Sequence, residues 1–115
     1  PEDEESKRLP FSQAATGAIG IETLLPLALE MHHNESLPLN KIIETLTINP
    51  AKILQINKGT LAKGSDGDVC VLDLDAPWVV EAEKLKSKSK NTAIEGRKLQ
   101  GKILMTFLNG ELMFN

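Results

Sequence analysis

A change of pattern within Asn49–Asp73 constrains the fold of this chain more than any other feature. Asn49 followed by Pro50 is typical of a helix start, because the Asn side chain accepts an unpaired N–H and proline lacks the donor that would be unused there. Gly59 then predicts a left-handed exit from that helix. From Asp68 polar and apolar residues alternate as in a strand, so the chain is predicted to pass from helices to a sheet here. The expected apolar face of the helix consists of Ile53, Leu54 and Ile56.

Two more helices are predicted before this stretch. Apolar residues recur at helical spacing from Ile21 to His33, and Pro26 within them indicates either the first turn of the helix or a kink. Another amphipathic helix is predicted to begin at Pro38 or Asn40. Helices followed by strands suit either an α+β domain or the last helices of a barrel joined to an appended β domain.

Four strands are predicted in the second half of the chain. A turn at Asp75, Ala76 and Pro77 is predicted to separate the first strand from the second. The last two strands are joined by Asn-Gly at 109–110, which is a strong signal for a two-residue hairpin turn. The expected strands are Asp68–Asp73, Trp78–Val80, Lys102–Leu108 and Glu111–Phe114.

The charge balance restricts the partners. A net charge of −3 and an isoelectric point near 5.4 argue against a nucleic-acid partner, because phosphate neutralisation requires a concentrated basic surface. The segment from Lys84 to Lys102 is locally basic, with seven basic residues and only Glu95 acidic. Because no aromatic residue interleaves these lysines, an exposed extended segment is favoured over a nucleic-acid or lipid patch. No apolar run is long enough to span a bilayer, so a cytoplasmic protein is expected.

Candidate catalytic groups are scarce. No HExxH or GxSxG motif occurs, and adjacent His32 and His33 would point about 100° apart on a helix, which favours a cationic helix end over a metal chelate. Residues 1–10 are predicted to form a polar loop, and the acidic run Glu2–Glu5 favours solvation over metal binding. The single cysteine, Cys70, is predicted to be a buried, reduced thiol. The chain is therefore expected to scaffold or line a site rather than to carry reacting groups.

Gly17 and Gly20 lie three residues apart within the segment TGAIGIET at 16–23. Glycines at this spacing allow the backbone to approach a neighbour closely. Composition alone favours tight packing against a strand, and contact with a ligand is the alternative.

The link between helix and sheet, NPAKIL followed by KGTLAKGSDGDVCVLD, is similar to the barrel-to-sandwich return of the amidohydrolase superfamily. Four other segments narrow the resemblance. They are KRLPF at 7–11, TGAIGIETLLPLAL at 16–29, SKSKNTAIEGRKLQGKI at 87–103 and the terminal FLNGELMF. Together, in this order and across nearly the whole chain, the segments resemble the C-terminal quarter of bacterial dihydroorotases.

The resemblance implies an α/β fold, namely the C-terminal part of a (β/α)8 amidohydrolase barrel together with the C-terminal strands of an appended β-sandwich. Residues 1–58 would form the last loop and helices of the barrel. Residues 59–115 would form the C-terminal part of the sandwich, with an excursion at 84–98. Polypeptide upstream of Pro1 is then expected to supply the rest of the barrel.

The resemblance also implies a zinc-dependent hydrolase that interconverts dihydroorotate and carbamoyl aspartate in pyrimidine biosynthesis. Zinc held by histidines, a carboxylated lysine and an aspartate would activate the water that attacks the ring amide. All of these ligands are expected upstream of Pro1. No catalytic residue and no metal ligand is therefore expected in this chain, which by itself should be inactive.

Thr16 and Gly17 match the position after the eighth-strand loop where, in the family, the backbone hydrogen-bonds the ring or carboxylate of the substrate. The resemblance thus favours a substrate contact at Gly17 over packing. Thr16 stands where Phe is often found, and Ala93 and Ile94 stand where a Pro-Phe pair is common. Glu22 and the lysine–serine segment are interpreted as structural.

Two alternatives stay open. One is a dihydroorotase-like subunit without a metal site that serves as a structural partner, for instance of an aspartate carbamoyltransferase. The other is a related cyclic amidohydrolase such as an allantoinase, which the KRLPF and SKSKN segments disfavour. The expected partners are a small-molecule substrate, the preceding polypeptide, and a second copy or a carbamoyltransferase, without nucleic acid or membrane.

Overall fold

The computed structural model describes residues 4–115, which form a mixed α/β structure. Helices come first and a three-stranded antiparallel sheet follows, with the strands in the order β1-β2-β3. A 3-10 turn at Ala82–Lys84 lies between the first two strands. None of the described helices has the length and apolar character needed to cross a bilayer. The elements are α1 Glu4–Lys7, α2 Leu24–His33, α3 Leu39–Leu46, α4 Ile48–Ile53, β1 Val69–Val79, β2 Lys98–Leu108 and β3 Glu111–Phe114.

The N-terminal segment departs from the predicted polar loop, because Glu4–Lys7 forms the short helix α1. Glutamate and lysine are good helix formers, and a lysine in the last turn favours the helix through the macrodipole. The first part of the acidic run, residues 2 and 3, lies outside the described residues. The prediction of a loop is therefore wrong for residues 4–7, whereas Glu5 is exposed, as expected for a solvated acidic residue.

Helix α2 begins at Leu24 and holds Pro26 in its first turn, which is the first of the two arrangements that the sequence allowed. A proline is tolerated there because the first N–H groups of a helix have no partner within it. After the helix, Glu35 adopts a left-handed conformation with φ 57°. The N–H of Glu35 and that of Ser36 donate to the carbonyls of His32 and Met31, both at 2.9 Å, which closes the helix with a Schellman motif.

Helix α4 begins at Ile48, two residues before the predicted start at Pro50. It follows α3 after a one-residue break at Thr47, whose hydroxyl donates to the carbonyl of Ile43 at 2.6 Å. Asn49 therefore lies in the first turn and does not cap the helix. The local N-cap signal was overridden because α3 ends so close that Thr47 forms the boundary of both helices.

The left-handed exit from α4 is at Gln55, with φ 56°, and not at Gly59 as predicted. The N–H of Ile56 donates to the carbonyl of Ala51 at 3.0 Å, again in a Schellman motif. Gly59 does have a positive φ of 79°, which favours glycine. Glycine is also required at this position because there is no space for a side chain. A Cβ added there would lie 2.8 Å from the backbone nitrogen of Ile48.

Strand β1 runs without interruption through Val69–Val79, so the prediction of two short strands separated by a turn is wrong. Asp73 pairs with Lys102 and Pro77 pairs with Gln100, so three residues of β1 lie opposite one residue of β2. The extra residues form a bulge. The Asp73 carboxylate accepts from the N–H of Asp75 at 3.0 Å and of Ala76 at 3.1 Å. These hydrogen bonds join residues within the bulge, and pairing with β2 resumes at Pro77. The turn-forming residues therefore produce a bulge in the strand and do not end it.

The hairpin between β2 and β3 confirms the Asn-Gly prediction. Asn109 and Gly110 have φ 52° and 83°, and Leu108 pairs with Glu111 across a two-residue turn. Strand β2 starts at Lys98 and not at Lys102 as predicted, because its first residues pair with the end of β1 beyond the bulge.

The hairpin turn is tied to the loop that precedes β1. Asp68 accepts from the N–H of Asn109 at 2.9 Å, and Lys58 contacts Asp68 at 2.5 Å and Asp66 at 2.6 Å. These hydrogen bonds raise the pKa of Lys58, with Asp66 as the largest cause, and lower the pKa of Asp68, with Lys58 as the largest cause. A Cβ added at Gly67 would lie 2.8 Å from the backbone nitrogen of Gly110, so glycine permits this close approach.

The buried centre joins the sheet, helix α2 and the excursion between β1 and β2. Leu29 and Ile42 are fully buried on α2 and α3. A Cβ added at Gly101 would lie 2.5 Å from Cδ1 of Leu29, so β2 approaches α2 closely there. The principal cluster contains Val80, Leu85 and Leu99, with Ile19, Leu27, Trp78 and Ile94 packed against it.

Cys70 is exposed, so the prediction of a buried thiol is wrong. Its sulfur lies 3.8 Å from the hydroxyl of Thr106 on the neighbouring strand. Alternation along a strand indicates which residues share a face, but burial of that face needs a second layer. Val71 and Met105 nearby are also exposed, so this part of the sheet is open in the described chain.

Candidate functional site

The candidate site is the loop that contains Thr16 and Gly17, between α1 and α2. Both residues are exposed. Gly17 has φ +86°, and a Cβ added at Gly17 or Gly20 would meet no atom of the described residues within 4 Å. Within residues 4–115 these glycines therefore do not pack tightly against a strand, contrary to the composition-based prediction. Gly17 is required by its backbone conformation, which side chains rarely adopt.

The side chain of Lys7 binds three consecutive carbonyls of this loop. Its ammonium donates to the carbonyl oxygens of Ala15 at 2.8 Å, Thr16 at 2.8 Å and Gly17 at 2.6 Å. A lysine ammonium has three donors, and all three are directed at consecutive carbonyls here. Helix α1 places Lys7 for these contacts, since the lysine is its last residue.

Asn91, in the excursion, holds the loop from a second side. Its Nδ2 donates to the carbonyl of Gly17 at 3.1 Å, and its backbone carbonyl accepts from the N–H of Ile19 at 3.3 Å. The Ser89 hydroxyl donates to Oδ1 of Asn91, which orients the amide. The side chain of Ile19 packs against the buried cluster of Val80, Leu85 and Leu99. The loop is thus anchored by a cation, an amide and an apolar side chain.

The N–H groups of Thr16, Gly17 and Ala18 have no protein acceptor among residues 4–115. The carbonyl oxygens of the same peptide units, those of Ala15, Thr16 and Gly17, accept hydrogen bonds from Lys7. Backbone N–H groups are strong donors, and successive ones form concave sites for oxyanions. The loop therefore offers three hydrogen-bond donors at the surface.

The excursion at 84–98 is fastened to the residues that follow the loop. The Glu22 carboxylate accepts from the N–H of Lys86 at 2.9 Å and of Ser87 at 3.2 Å. Lys90 donates to the carbonyl of Leu85 at 2.8 Å. Glu22 and the lysine–serine segment thus make structural contacts, in agreement with their interpretation from the sequence.

Two clefts within the described residues lie near the loop. One, of about 420 Å³, lies between residues 18–23 and 85–87. A larger one, of about 650 Å³, lies between α2 and the sheet and is lined by apolar groups that include Leu25, Trp78 and Phe114. Thr16 and Gly17 line neither cleft. Ala18, whose N–H is the third donor, lines the smaller cleft.

The residues that the structure describes, 4–115, do not fit a zinc site. No three His, Cys, Asp or Glu side chains converge within residues 4–115. The rings of His32 and His33 lie 5.6 Å apart between centroids. Nε2 of His33 lies 3.1 Å from the carbonyl oxygen of Leu74, and because that oxygen can only accept, Nε2 donates. His33 therefore connects α2 to the bulge of β1.

Lys7 and Asn91 are the site residues that sequence reasoning missed. Asn91 is 74 positions from Gly17 in the chain, so no local pattern indicated the contact. Both lie within segments that carry the family resemblance, KRLPF and SKSKN, and that was the one available signal.

The chain matches the model of the amidohydrolase family over residues 11–113. It is similar to the dihydroorotase of Ehrlichia chaffeensis, with 42% identity over 114 residues that cover 99% of this chain and 26% of that protein. Among solved structures, it is similar to the L-hydantoinase (dihydropyrimidinase) of Arthrobacter aurescens, at 34% identity and TM-score 0.83, over 90% of this chain and 24% of that one. A D-hydantoinase structure is 26% identical with TM-score 0.87, over 96% of this chain and 25% of that one. The chain thus spans about a quarter of the length of the curated relatives it matches.

Proposed function

The chain belongs to the amidohydrolase family, and from this membership we propose that it is the C-terminal part of a zinc-dependent dihydroorotase. The proposed reaction is the reversible hydrolysis of dihydroorotate to carbamoyl aspartate in pyrimidine biosynthesis. Three relatives named dihydroorotase support this choice, at 42%, 40% and 41% identity over nearly the whole chain. We further propose that the enzyme is cytoplasmic.

The proposed architecture divides the chain into two parts. Residues 1–58 are the last loop and helices of a (β/α)8 barrel, and residues 59–115 are the C-terminal part of a β-sandwich with an excursion at 84–98. The uncovered apolar side chains support this division. Ile53 at the end of α4 and Leu54 just after it are 81% and 68% exposed, and Met113 on β3 is 61% exposed. Large apolar patches of this kind mark surfaces that pack against other polypeptide.

The proposed role of this segment in the reaction rests on the N–H groups of the loop at Thr16 and Gly17, which have no acceptor among residues 4–115. Dihydroorotate has a carboxylate and two ring carbonyls, and all of these accept hydrogen bonds. N–H donors held in place before the substrate arrives lower the entropic penalty of binding and orient the ring. The segment therefore binds and orients the substrate, while the reacting groups come from elsewhere.

The metal site is proposed to lie outside these residues, since the side chains described here do not fit one. When bound in such enzymes, zinc supplies an activated water. This chain would contribute no ligand to it. We therefore propose that the 115 residues alone are inactive, and that the preceding polypeptide is their obligatory partner. A second copy or an aspartate carbamoyltransferase is a further proposed partner.

A related cyclic amidohydrolase is the second candidate function, because the structural similarity to the L-hydantoinase reaches 34% identity. Its substrate would be a ring amide such as a hydantoin or allantoin. The N–H groups of the loop favour dihydroorotate, since its carboxylate is a charged acceptor that hydantoin and allantoin lack, although their ring carbonyls also accept hydrogen bonds.

Turnover assays with the longer protein that carries this chain test the proposal. Purified protein is supplied with zinc and with dihydroorotate, hydantoin or allantoin, and ring opening is followed by absorbance. Dihydroorotate is expected to be the preferred substrate, with carbamoyl aspartate cyclised in the reverse direction. Preference for hydantoin or allantoin would support the second candidate. A protein that neither binds zinc nor turns over any of the three would instead be the structural subunit.

A further inference from the structure

We propose that Lys7 and Asn91 are positioning residues, which set the direction of the Thr16, Gly17 and Ala18 N–H groups and thereby the recognition of the substrate oxyanion. The recognition step rests on the function proposed above. The control of the loop conformation by the two side chains does not rest on it.

The geometry of the peptide bond connects the two sets of groups. In a trans peptide the carbonyl of one residue and the N–H of the next lie in one plane and point in opposite directions. The carbonyls of Ala15, Thr16 and Gly17 all point at the ammonium of Lys7. The N–H groups in the same three peptide units, those of Thr16, Gly17 and Ala18, therefore point away from Lys7.

Lys7 is suited to this task by its charge and by its number of donors. Hydrogen bonds from a charged donor are shorter and stronger than neutral ones. Three of them on consecutive carbonyls hold three peptide planes in one orientation. Without the ammonium, each plane of this exposed loop could rotate, because water would satisfy either orientation of its polar groups.

Asn91 completes the restraint at the C-terminal end of the loop. Its side chain binds the Gly17 carbonyl at 3.1 Å, so that this oxygen has donors from Lys7 and from Asn91. Its backbone carbonyl holds the N–H of Ile19 at 3.3 Å, just beyond the three free donors. The lysine–serine excursion thus acts on the loop, which gives this basic segment a role that its charge pattern did not predict.

The first test measures loop order without any activity, in the longer protein. Lys7→Met removes the donors, Asn91→Asp keeps the side-chain shape but removes the amide donor, and Lys88→Met is the matched control. Lys88 is an exposed lysine of the same excursion, with no hydrogen bond among the described residues. The readout is the rate of subtilisin cleavage within residues 15–19, with the cleavage site located by mass spectrometry. This rate is expected to increase about tenfold in Lys7→Met and Asn91→Asp, because the loop opens more often. It is expected to stay unchanged in Lys88→Met.

The second test measures the substrate. Loss of one charge-assisted contact corresponds to roughly a tenfold change, so KM for dihydroorotate is expected to rise about tenfold in Lys7→Met while kcat changes less than about threefold. Lys7→Arg, which keeps the cation, is expected to restore most of the loss. For dihydrouracil, which lacks the carboxylate, the rise in KM should be smaller.

The outcomes distinguish the positioning role of Lys7 and Asn91 from the proposed function of the enzyme. Unchanged cleavage in both variants would overturn the positioning role, whatever the enzyme does. An equal rise in KM in Lys88→Met would overturn it as well. Absence of dihydroorotate turnover by the unsubstituted protein would overturn the proposed function, while the cleavage rates would still decide the positioning role. If Lys7→Met does not fold, the cleavage rate of Asn91→Asp decides the positioning role, because Asn91 restrains the same Gly17 carbonyl.

Discussion

Gly101→Ala is expected to lower the free energy of unfolding by roughly 2–6 kcal/mol, from two separate causes. Gly101 has φ +106°, where a side chain is strained by about 1–3 kcal/mol. The new Cβ would also lie 2.5 Å from Cδ1 of Leu29, which is fully buried. Overpacking of a dense core adds roughly 1–3 kcal/mol.

Gly64→Ala separates the two causes. Gly64 has φ +89°, but a Cβ added there would meet no atom of the described residues within 4 Å. This variant is expected to show the backbone strain alone, about 1–3 kcal/mol. The difference between the two variants is then the contribution of the contact with Leu29.

Leu29→Val tests that contact directly. Alone it should cost about 1 kcal/mol for one buried methylene. Combined with Gly101→Ala it should relieve the overlap, so that the double variant loses roughly 1–3 kcal/mol less than the two single variants together.

Urea unfolding followed by tryptophan fluorescence is a suitable assay. Trp78 is the one tryptophan of the 115 residues, and its Nε1 donates to the carbonyl of Gly101 at 3.1 Å. Protein concentrations should be low, because the exposed apolar side chains favour association. Equal losses in Gly101→Ala and Gly64→Ala, or strict additivity with Leu29→Val, would refute the close approach of β2 and α2.

Two further predictions concern the ion pairs and the core. Lys58→Met should lower the melting temperature most between about pH 4 and 10. The stabilisation by Asp68 is lost as pH falls through its pKa, which lies below the ordinary 3.8. The stabilisation by Lys58 is lost as pH rises through its pKa, which lies above 10.5. Thermal melts across pH check this, and a difference that grows below pH 4 would contradict it. In urea unfolding of the 115-residue chain, Ile42→Ala, at a fully buried side chain, should cost about 2–5 kcal/mol. Ile53→Ala, at a side chain 81% exposed, should change the stability of that chain by less than about 0.5 kcal/mol. Similar losses at both positions would show that α4 is covered in solution.

The elements that depend on neighbouring residues were predictable. Pro26 in the first turn of α2 and the Asn109-Gly110 hairpin follow from backbone preferences of one or two residues. The family was also accessible from the sequence, because its motifs are contiguous segments such as KRLPF and SKSKN. Thr16 and Gly17 as a substrate-contact position came from that resemblance and remain a prediction.

The errors share a physical cause, which is contact between residues distant in the chain. Thr47 rather than Asn49 bounds α4 because another helix ends beside it. Cys70 is exposed because the alternation of a strand does not specify whether a second layer covers it.

By itself the sequence determined that helices precede the sheet, the hairpin and the family, since each is encoded in residues close together along the chain. Only the tertiary structure decided that Lys7 and Asn91 meet at the carbonyl of Gly17, from 10 and 74 positions away. Such contacts depend on how the elements pack, and packing brings together groups whose separation in the chain carries no local signal.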